Sequence, residues 1–364
     1  MDRIATKAAI KRASAVARDA MNRLDADTLD QLTELYRQAV EGINHAIDQY
    51  ADSNGSIRLE ALQALLTASE ARLRQLESQR NTLLDKGLLS AAQLGVEPFA
   101  VDAALLSQST AVSSNQAVKF VENFIAEDGL QLSDRIWRLD NHAGQIVRDA
   151  INQAVIQGYS ASRAAQDLLS NGQAVGKDLQ AKLGANKAAG IKQRIEQELF
   201  TGTGTPYANA LRVARTELNR AHGQAYLATA FSHPDVIGTR FLLSPNHPRH
   251  DICDLHAHAN LYGLGPGVYP KGKNPWPAHP NTLSYTEVVF KDEVTASDRQ
   301  GKQSPIEWLN DQPADTQIAV LNSQKKQIAL QKGLLPANAI ATPWRDLKPK
   351  LEKQGHNTDT WGNE

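Results

Sequence analysis

The chain has 364 residues, 41% apolar and 22% charged, with a formal net charge of −1; this balance suits a folded protein and gives no global attraction to nucleic acid or anionic membranes, leaving only local basic patches. A single cysteine excludes an intrachain disulfide framework and fits a reducing compartment, or a particle assembled in one. No apolar stretch resembles a secretory leader or reaches the ~20 residues of a membrane span, so the expectation is a cytoplasmic product with no membrane anchor.

Proline divides the chain: Pro98 is the only one before residue 200, and the other fourteen lie from Pro206 onward. A proline inside a helix costs about 3 kcal/mol, so the first part is free to form long helices and the second must be broken by turns. The first helix carries Arg3, Lys7, Lys11, Arg12, Arg18 and Arg23 against Asp2, Asp19 and Asp25, a face that is most often merely solvated. Thr28-Leu29-Asp30-Gln31 reads as a capping box opening a helix with Leu32, Leu35, Tyr36, Ala39, Val40, Ile43 and Ile47 on one face. Asp52-Ser53-Asn54-Gly55-Ser56 is a turn cluster, and Leu59, Leu62, Leu65, Leu66, Ser69, Leu73 and Leu76 form a second stripe, so the pair predicts an antiparallel helical hairpin.

Ser133 reads as the N-cap of a third long helix with Ile136, Leu139, Ala143, Ile146, Val147, Ala150, Ile151, Ala154 and Val155 on its apolar face. Gly158 reads as its C-terminal stop, with Ser160 capping the next helix through Leu169. A helix follows over Ala188 to Leu199, then a hinge at Gly202, Gly204 and Pro206, then an Ala-rich helix from Tyr207 to Phe231. Arg240-Phe241-Leu242-Leu243 and Thr286-Glu287-Val288-Val289-Phe290 read as short strands bracketing an elaborated loop. The tail returns to short helices separated by Pro313, Pro336 and Pro343. The fold class is therefore mainly α: long N-terminal helices, a small α+β module with a His/Cys loop, and a short helical tail.

The chemistry is concentrated in that loop. Five of the ten histidines and the only cysteine fall between His247 and His279, where an even spread would place about one histidine. Cys253 and His256 have metal-knuckle spacing and His279 follows, three donors of the kind zinc prefers. The fourth ligand is open among Asp251, His258, His250 or water. Against this, loops rich in His, Pro and Asn are also ordered by turns alone, and His247, His250 and His258 read equally as solvated surface residues. His279 with Asn281 also suggests an HNH-type metal nuclease, but only Arg249, Lys271 and Lys273 offer a basic flank. Gly263-Leu264-Gly265-Pro266-Gly267 reads as turns, since Pro266 removes a donor that a phosphate loop needs. On the preceding helix, Glu217 and Arg220 can pair on a solvated face; alternatively Arg215 and Glu217 turn inward and anchor the loop.

Ala214-Arg215-Thr216-Glu217, Asp251-Ile252-Cys253-Asp254, the 263–270 stretch and Ala278-His279-Pro280-Asn281 occur in an order that resembles the phage Mu F-like minor head proteins, the phage head morphogenesis family. The likeness is strongest over about residues 205 to 292, and 132–160 looks like the region preceding that domain. The resemblance implies four parts: an N-terminal helical region (1–130) that docks the portal, a connector (131–204), the Mu F-like module (205–292) and a tail (293–364). It implies a structural, non-enzymatic minor capsid protein of a tailed phage or prophage, made in the host cytoplasm and incorporated at the head interior or portal vertex. Its implied partners are the portal protein, capsid or scaffold proteins and packaged double-stranded DNA; its implied roles are head assembly and DNA packaging or ejection. A metal-dependent nuclease and a non-catalytic DNA-binding adaptor are the alternatives. Many members read Cys-x-x-Cys, then His-Pro-x-Cys-x-Cys. Here Cys253 and His279 match, His256 stands at the second cysteine, and Thr282 and Ser284, poor zinc ligands, replace the last two. Either a zinc site is rebuilt with His256, His258 or Asp251, or hydrogen bonds hold the loop; Arg215 and Glu217 then act as its structural anchors.

Overall fold

The computed structural model describes residues 3–101, 110–125, 129–245, 247, 249–279, 282 and 284–361. The described chain is mainly helical and forms two compact units, one of residues 22–90 and 119–218, the other of residues 1–21, 91–118 and 219–364. In chain order the principal helices are α1 (Arg3–Tyr50), α2 (Leu62–Val96), α3 (Thr110–Asn123), α4 (Leu132–Ser170), α5 (Lys177–Lys182), α6 (Ala188–Glu196) and α7 (Pro206–Ala230). Then come β1 (Val236–Leu242), α8 (Ile252–His258), β2 (Val268–Tyr269) and β3 (Tyr285–Phe290). The tail holds α9 (Ala296–Gln300), α10 (Pro305–Asn310), α11 (Ala314–Leu321), α12 (Gln324–Gln331) and α13 (Trp344–Lys353). Among the described residues, no helix is long and apolar enough to cross a membrane.

The capping box expected at Thr28 is not a helix start, because α1 runs through it. The Thr28 hydroxyl donates instead to the Leu24 carbonyl at 2.7 Å, the back-bond open to threonine inside a helix, and no proline interrupts the stretch. The turn after α1 is as expected: Asp52 Oδ1 accepts the amides of Asn54 and Ser56, and Gly55 takes a φ of +69°, which only glycine adopts freely. Gly42 then faces Arg72, whose Cδ would stand 3.1 Å from an added Cβ. Further from the turn, Tyr36 of α1 shares the core with Leu73 and Leu76 of α2, so α1 and α2 form the antiparallel hairpin.

The core of this unit joins Tyr36, Ile43 and Ile47 of α1 to Leu65, Leu73 and Leu76 of α2, Val147, Ile151 and Val155 of α4, and Ile191 and Ile195 of α6. Arg80 is 1% exposed and grips Asp140 of α4 with both terminal nitrogens, Nη2 at 3.0 Å. Helix α4 begins at Leu132 rather than after Ser133, with the Asp134 carboxylate accepting the Gln131 amide at 2.9 Å. It does not stop at Gly158, and Ser160 caps nothing: the helix continues to Ser170. Gly158 serves close approach instead, since a Cβ there would lie 2.8 Å from the backbone nitrogen and side chain of Asn186. At the expected hinge, Gly204 takes a φ of +70°, Thr205 Oγ1 accepts the Ala208 amide at 3.1 Å, and Pro206 opens α7.

In the other unit the three strands form an antiparallel sheet in the order β2-β1-β3, with Thr239 opposite both Tyr269 and Val288. Ile10 of α1 packs with Tyr226 of α7, Val288 and Phe290. The basic face of α1 is only partly solvated. Lys7 pairs with Asp292 at 2.6 Å, Lys11 with Glu293 and with Glu287 at 3.8 Å, and Arg18 lies 4.3 Å over the Tyr285 ring. Trp308, Leu309, Val320, Leu330, Leu351 and Trp361 of the tail form one cluster with Leu255 and Ala259 at α8. The tail is thus part of what fixes the His/Cys segment.

Replacing Gly158 by alanine tests the close approach. Glycine to alanine inside a helix ordinarily stabilises by roughly 1 kcal/mol; here the overlap with Asn186 is expected to reverse the sign, destabilising by about 1–3 kcal/mol in urea unfolding. A more stable variant would contradict it.

Candidate metal centre

The His/Cys segment is the connection between β1 and β3, and it builds its own structure. Helix α8 starts from a reciprocal cap: Asp251 Oδ1 accepts the Cys253 amide at 2.7 Å, and Asp254 Oδ2 accepts the Asp251 amide at 2.8 Å. Beyond α8, Asn260 holds the turn by accepting the Gly265 amide at 3.2 Å and donating to the Asp298 carbonyl at 2.6 Å. Gly267, with a φ of +69°, would place a Cβ 2.5 Å from the Ala257 carbonyl oxygen and 2.8 Å from that of Phe241, so no side chain fits. The return path is seated by Trp276, whose ring lies against Gly223 of α7, 2.8 Å from where a Cβ would stand.

This path closes the two halves of the motif. One donor atom each from Asp251, Cys253 and His279 falls within a mutual 4.8 Å, with His279 Nε2 at 3.2 Å from Asp251 Oδ2. Cys253 is 1% exposed and its Sγ lies 3.7 Å from Thr282 Oγ1. His256 is not in that group; its Nδ1 faces the Tyr269 hydroxyl at 3.2 Å. It is close enough to be influenced by Asp251 and His279, but burial dominates and pushes its pKa down to about 4. His258 Nδ1 donates to the Asp254 carbonyl at 2.9 Å, which takes it out of the ligand candidates at that atom. Asn281, the other residue of the nuclease reading, lies outside the described residues.

His247 and His250 are not simply solvated. His247 Nε2 stands 3.0 Å from Asp254 Oδ2, and His250 Nδ1 stands 2.7 Å from Asp254 Oδ1. The Asp254 carboxylate is nearly enclosed, with its side chain 6% exposed. Burial alone would raise the Asp251 pKa, yet the bonds from His279 and the Cys253 amide outweigh it and hold the carboxyl at about 2. Asp254 is lowered by the same contest, burial against the Asp251 amide and the two imidazoles.

A thiol, an imidazole and a carboxylate at this separation fit zinc as a three-ligand centre with one position left open. Four ligands would make a closed structural site, and the four expected from the sequence (Cys253, His256, His279, Asp251) supply three in one group.

Arg215 meets a partner other than the loop. Its Nε donates to Asp25 Oδ2 at 3.0 Å, tying α7 to α1. Burial raises the Asp25 pKa and Arg215 offsets only part of that. Glu217 is buried, 2% exposed, so this helix face is not the solvated one.

No family model, curated protein or solved structure matches the chain. The site's meaning therefore rests on its residues. Asp254, Tyr269 and Trp276 escaped sequence reasoning. The Asp251-Ile252-Cys253-Asp254 spacing carries a cap signal that identifies Asp254; nothing in the pattern singles out Trp276.

His222 of α7 packs beside Trp276, with ring centroids 5.6 Å apart. Neither of its ring nitrogens has a hydrogen-bond partner among the described residues, and burial pushes its pKa down to about 4. An unfolded histidine titrates near 6.5, so the unfolded chain takes up the proton first. The associated stability is complete above pH 6.5 and lost as pH falls toward 4, by up to about 3 kcal/mol. Urea midpoints at pH 7 and pH 4.5 should therefore differ less for His222→Phe than for the native chain; an unchanged pH response would refute this.

Proposed function

We propose that this chain is a structural minor head protein of a tailed phage or prophage, associated with the portal and acting in head assembly and in DNA packaging or delivery. One observation carries the reading: Asp251 and Cys253 close into one cluster with His279 from the far half of the motif, within a motif order that resembles the head morphogenesis family. Thr282, at a position where many members carry cysteine, has its hydroxyl 3.7 Å from Cys253 Sγ, so the residue that replaces a ligand still sits against the remaining thiol. In this reading the cluster is a clasp rather than a reaction centre. Zinc would be held by Asp251, Cys253 and His279, and hydrogen bonds through Thr282 and Asp254 hold the rest.

The proposed partners are the portal protein, with capsid or scaffold proteins and packaged double-stranded DNA as further contacts. The proposed location is the head interior or portal vertex, after assembly in the host cytoplasm. The portal contact is assigned to the N-terminal helices. With Lys7, Lys11 and Arg18 engaged on β3 and the turn after it, the exposed Arg12 and Arg23 are the charges of α1 offered to that contact.

Mass spectrometry of purified particles should find the chain at low copy number beside the portal protein, and deleting its gene should leave heads that fail to package or deliver DNA. Absence from particles, together with plasmid cleavage by the purified protein in Mg²⁺, Mn²⁺ or Zn²⁺, would replace this reading with a nuclease. Absence together with salt-dependent DNA retardation and no cleavage would replace it with a DNA-binding adaptor.

A further inference from the structure

We infer that the segment holds a second divalent cation, on His247, Asp251 and Asp254, with the Asp251 carboxylate bridging it to the position at Cys253 and His279. The geometry is that of two overlapping ligand groups. One atom each of His247, Asp251 and Asp254 lies within a mutual 4.8 Å, as do those of Asp251, Cys253 and His279. The two oxygens of Asp251 divide between them: Oδ1 is 3.9 Å from His247 Nε2, and Oδ2 is 3.2 Å from His279 Nε2. His247 Nε2 is 3.0 Å from Asp254 Oδ2. Donors around one ion with bonds of about 2.1 Å stand roughly 3–3.5 Å apart, so modest side-chain adjustment admits an ion in each group.

Charge balance points the same way. Asp251 and Asp254 bring two negative charges into a half-buried and a nearly enclosed setting, and their ion-pair partners among the described residues are His247, His250 and His279 alone. No lysine or arginine of the described residues pairs with either carboxylate. Enclosed carboxylates need compensating charge, and among the described residues no permanently charged side chain is paired with them to provide it. Two divalent ions sharing a carboxylate supply it, with a ring nitrogen of His247 as a ligand to the second. One imidazole, two carboxylates and water form a nitrogen and oxygen set suited to a first-row divalent ion such as Mn²⁺, Co²⁺ or Zn²⁺, whereas the thiolate of Cys253 makes the neighbouring position the softer one. The exposed His250 already touches Asp254 and is placed to orient that carboxylate from outside.

The inference rests on the zinc position of the proposed function but not on the assignment to a phage head. It is tested with Co²⁺, because thiolate ligation gives a charge-transfer band that reports the Cys253 position alone. Chelator-treated, tag-free protein should bind two Co²⁺ per chain by elemental analysis after desalting. Cys253→Ala should lose the band and keep one ion; His247→Gln, which leaves the Asp251–Asp254 cap intact, should keep the band and lose one ion. Far-ultraviolet circular dichroism establishes that each variant is folded, and His247→Ala replaces a misfolded His247→Gln. No more than one Co²⁺ per chain in the native protein, or two retained by the folded His247 variant, would overturn the second position.

Discussion

Strands β1 and β3 are hydrogen-bonded neighbours, yet the whole His/Cys segment lies between them in sequence. A connection that long is uncommon without structure of its own, and its backbone polar groups must be satisfied somewhere. Gly267 shows how this is done: its amide donates to the Ala259 carbonyl at 3.0 Å, and its carbonyl accepts the Phe241 amide at 2.8 Å. One residue without a side chain thus stitches the end of α8 to β1. Asn260 does the same for the turn before it, and Trp276 seats the return path on Gly223. Only with the path fixed at these points do Cys253 and His279 meet.

The helical part of the molecule was legible because apolar periodicity reports burial directly. The stripes on α1, α2 and α4 lie mostly in the core, although Leu59, expected to open the second, is exposed on a short 3-10 turn before α2. Local punctuation misled at two places for one reason: Thr28 and Gly158 each have a second physical use inside a helix, a back-bond and a close approach. In the loop, Cys253 and His279 stood out because ligand residues are rare in this chain. Short α8 escaped notice because its length gives no periodicity, although its Asp251–Asp254 cap was present in the spacing. The two-strand pairing of β2 is set by β1, not by its own residues. Arg215 read from the residues as either part of a solvated face or an inward anchor, and Asp25, some 190 positions away, is not a partner that spacing can name.

Several charges of this nearly neutral chain fasten its own fold. Arg80 is committed to Asp140, Arg215 to Asp25, and Lys7 and Lys11 to acidic groups on β3 and the turn after it. Around Asp251 and Asp254 the pattern changes, because imidazoles replace lysine and arginine as the partners. A guanidinium or ammonium keeps its charge at every physiological pH, whereas an imidazole can yield its place to a cation.

The seat of the first turns of α1 also has a consequence for how the chain is made. Lys7 and its partner Asp292 are separated by 285 positions, and Ile10 packs on strand residues almost as distant. During synthesis these residues leave the ribosome long before their partners on β3 and the turn after it exist. Residues 22–218 contain one complete core and are available to fold during that wait, whereas the sheet unit depends on contacts of very high sequence separation, which form slowly. The apolar side of these first turns, Ile10 included, thus stays without its strand partners until Val288 and Phe290 have been made.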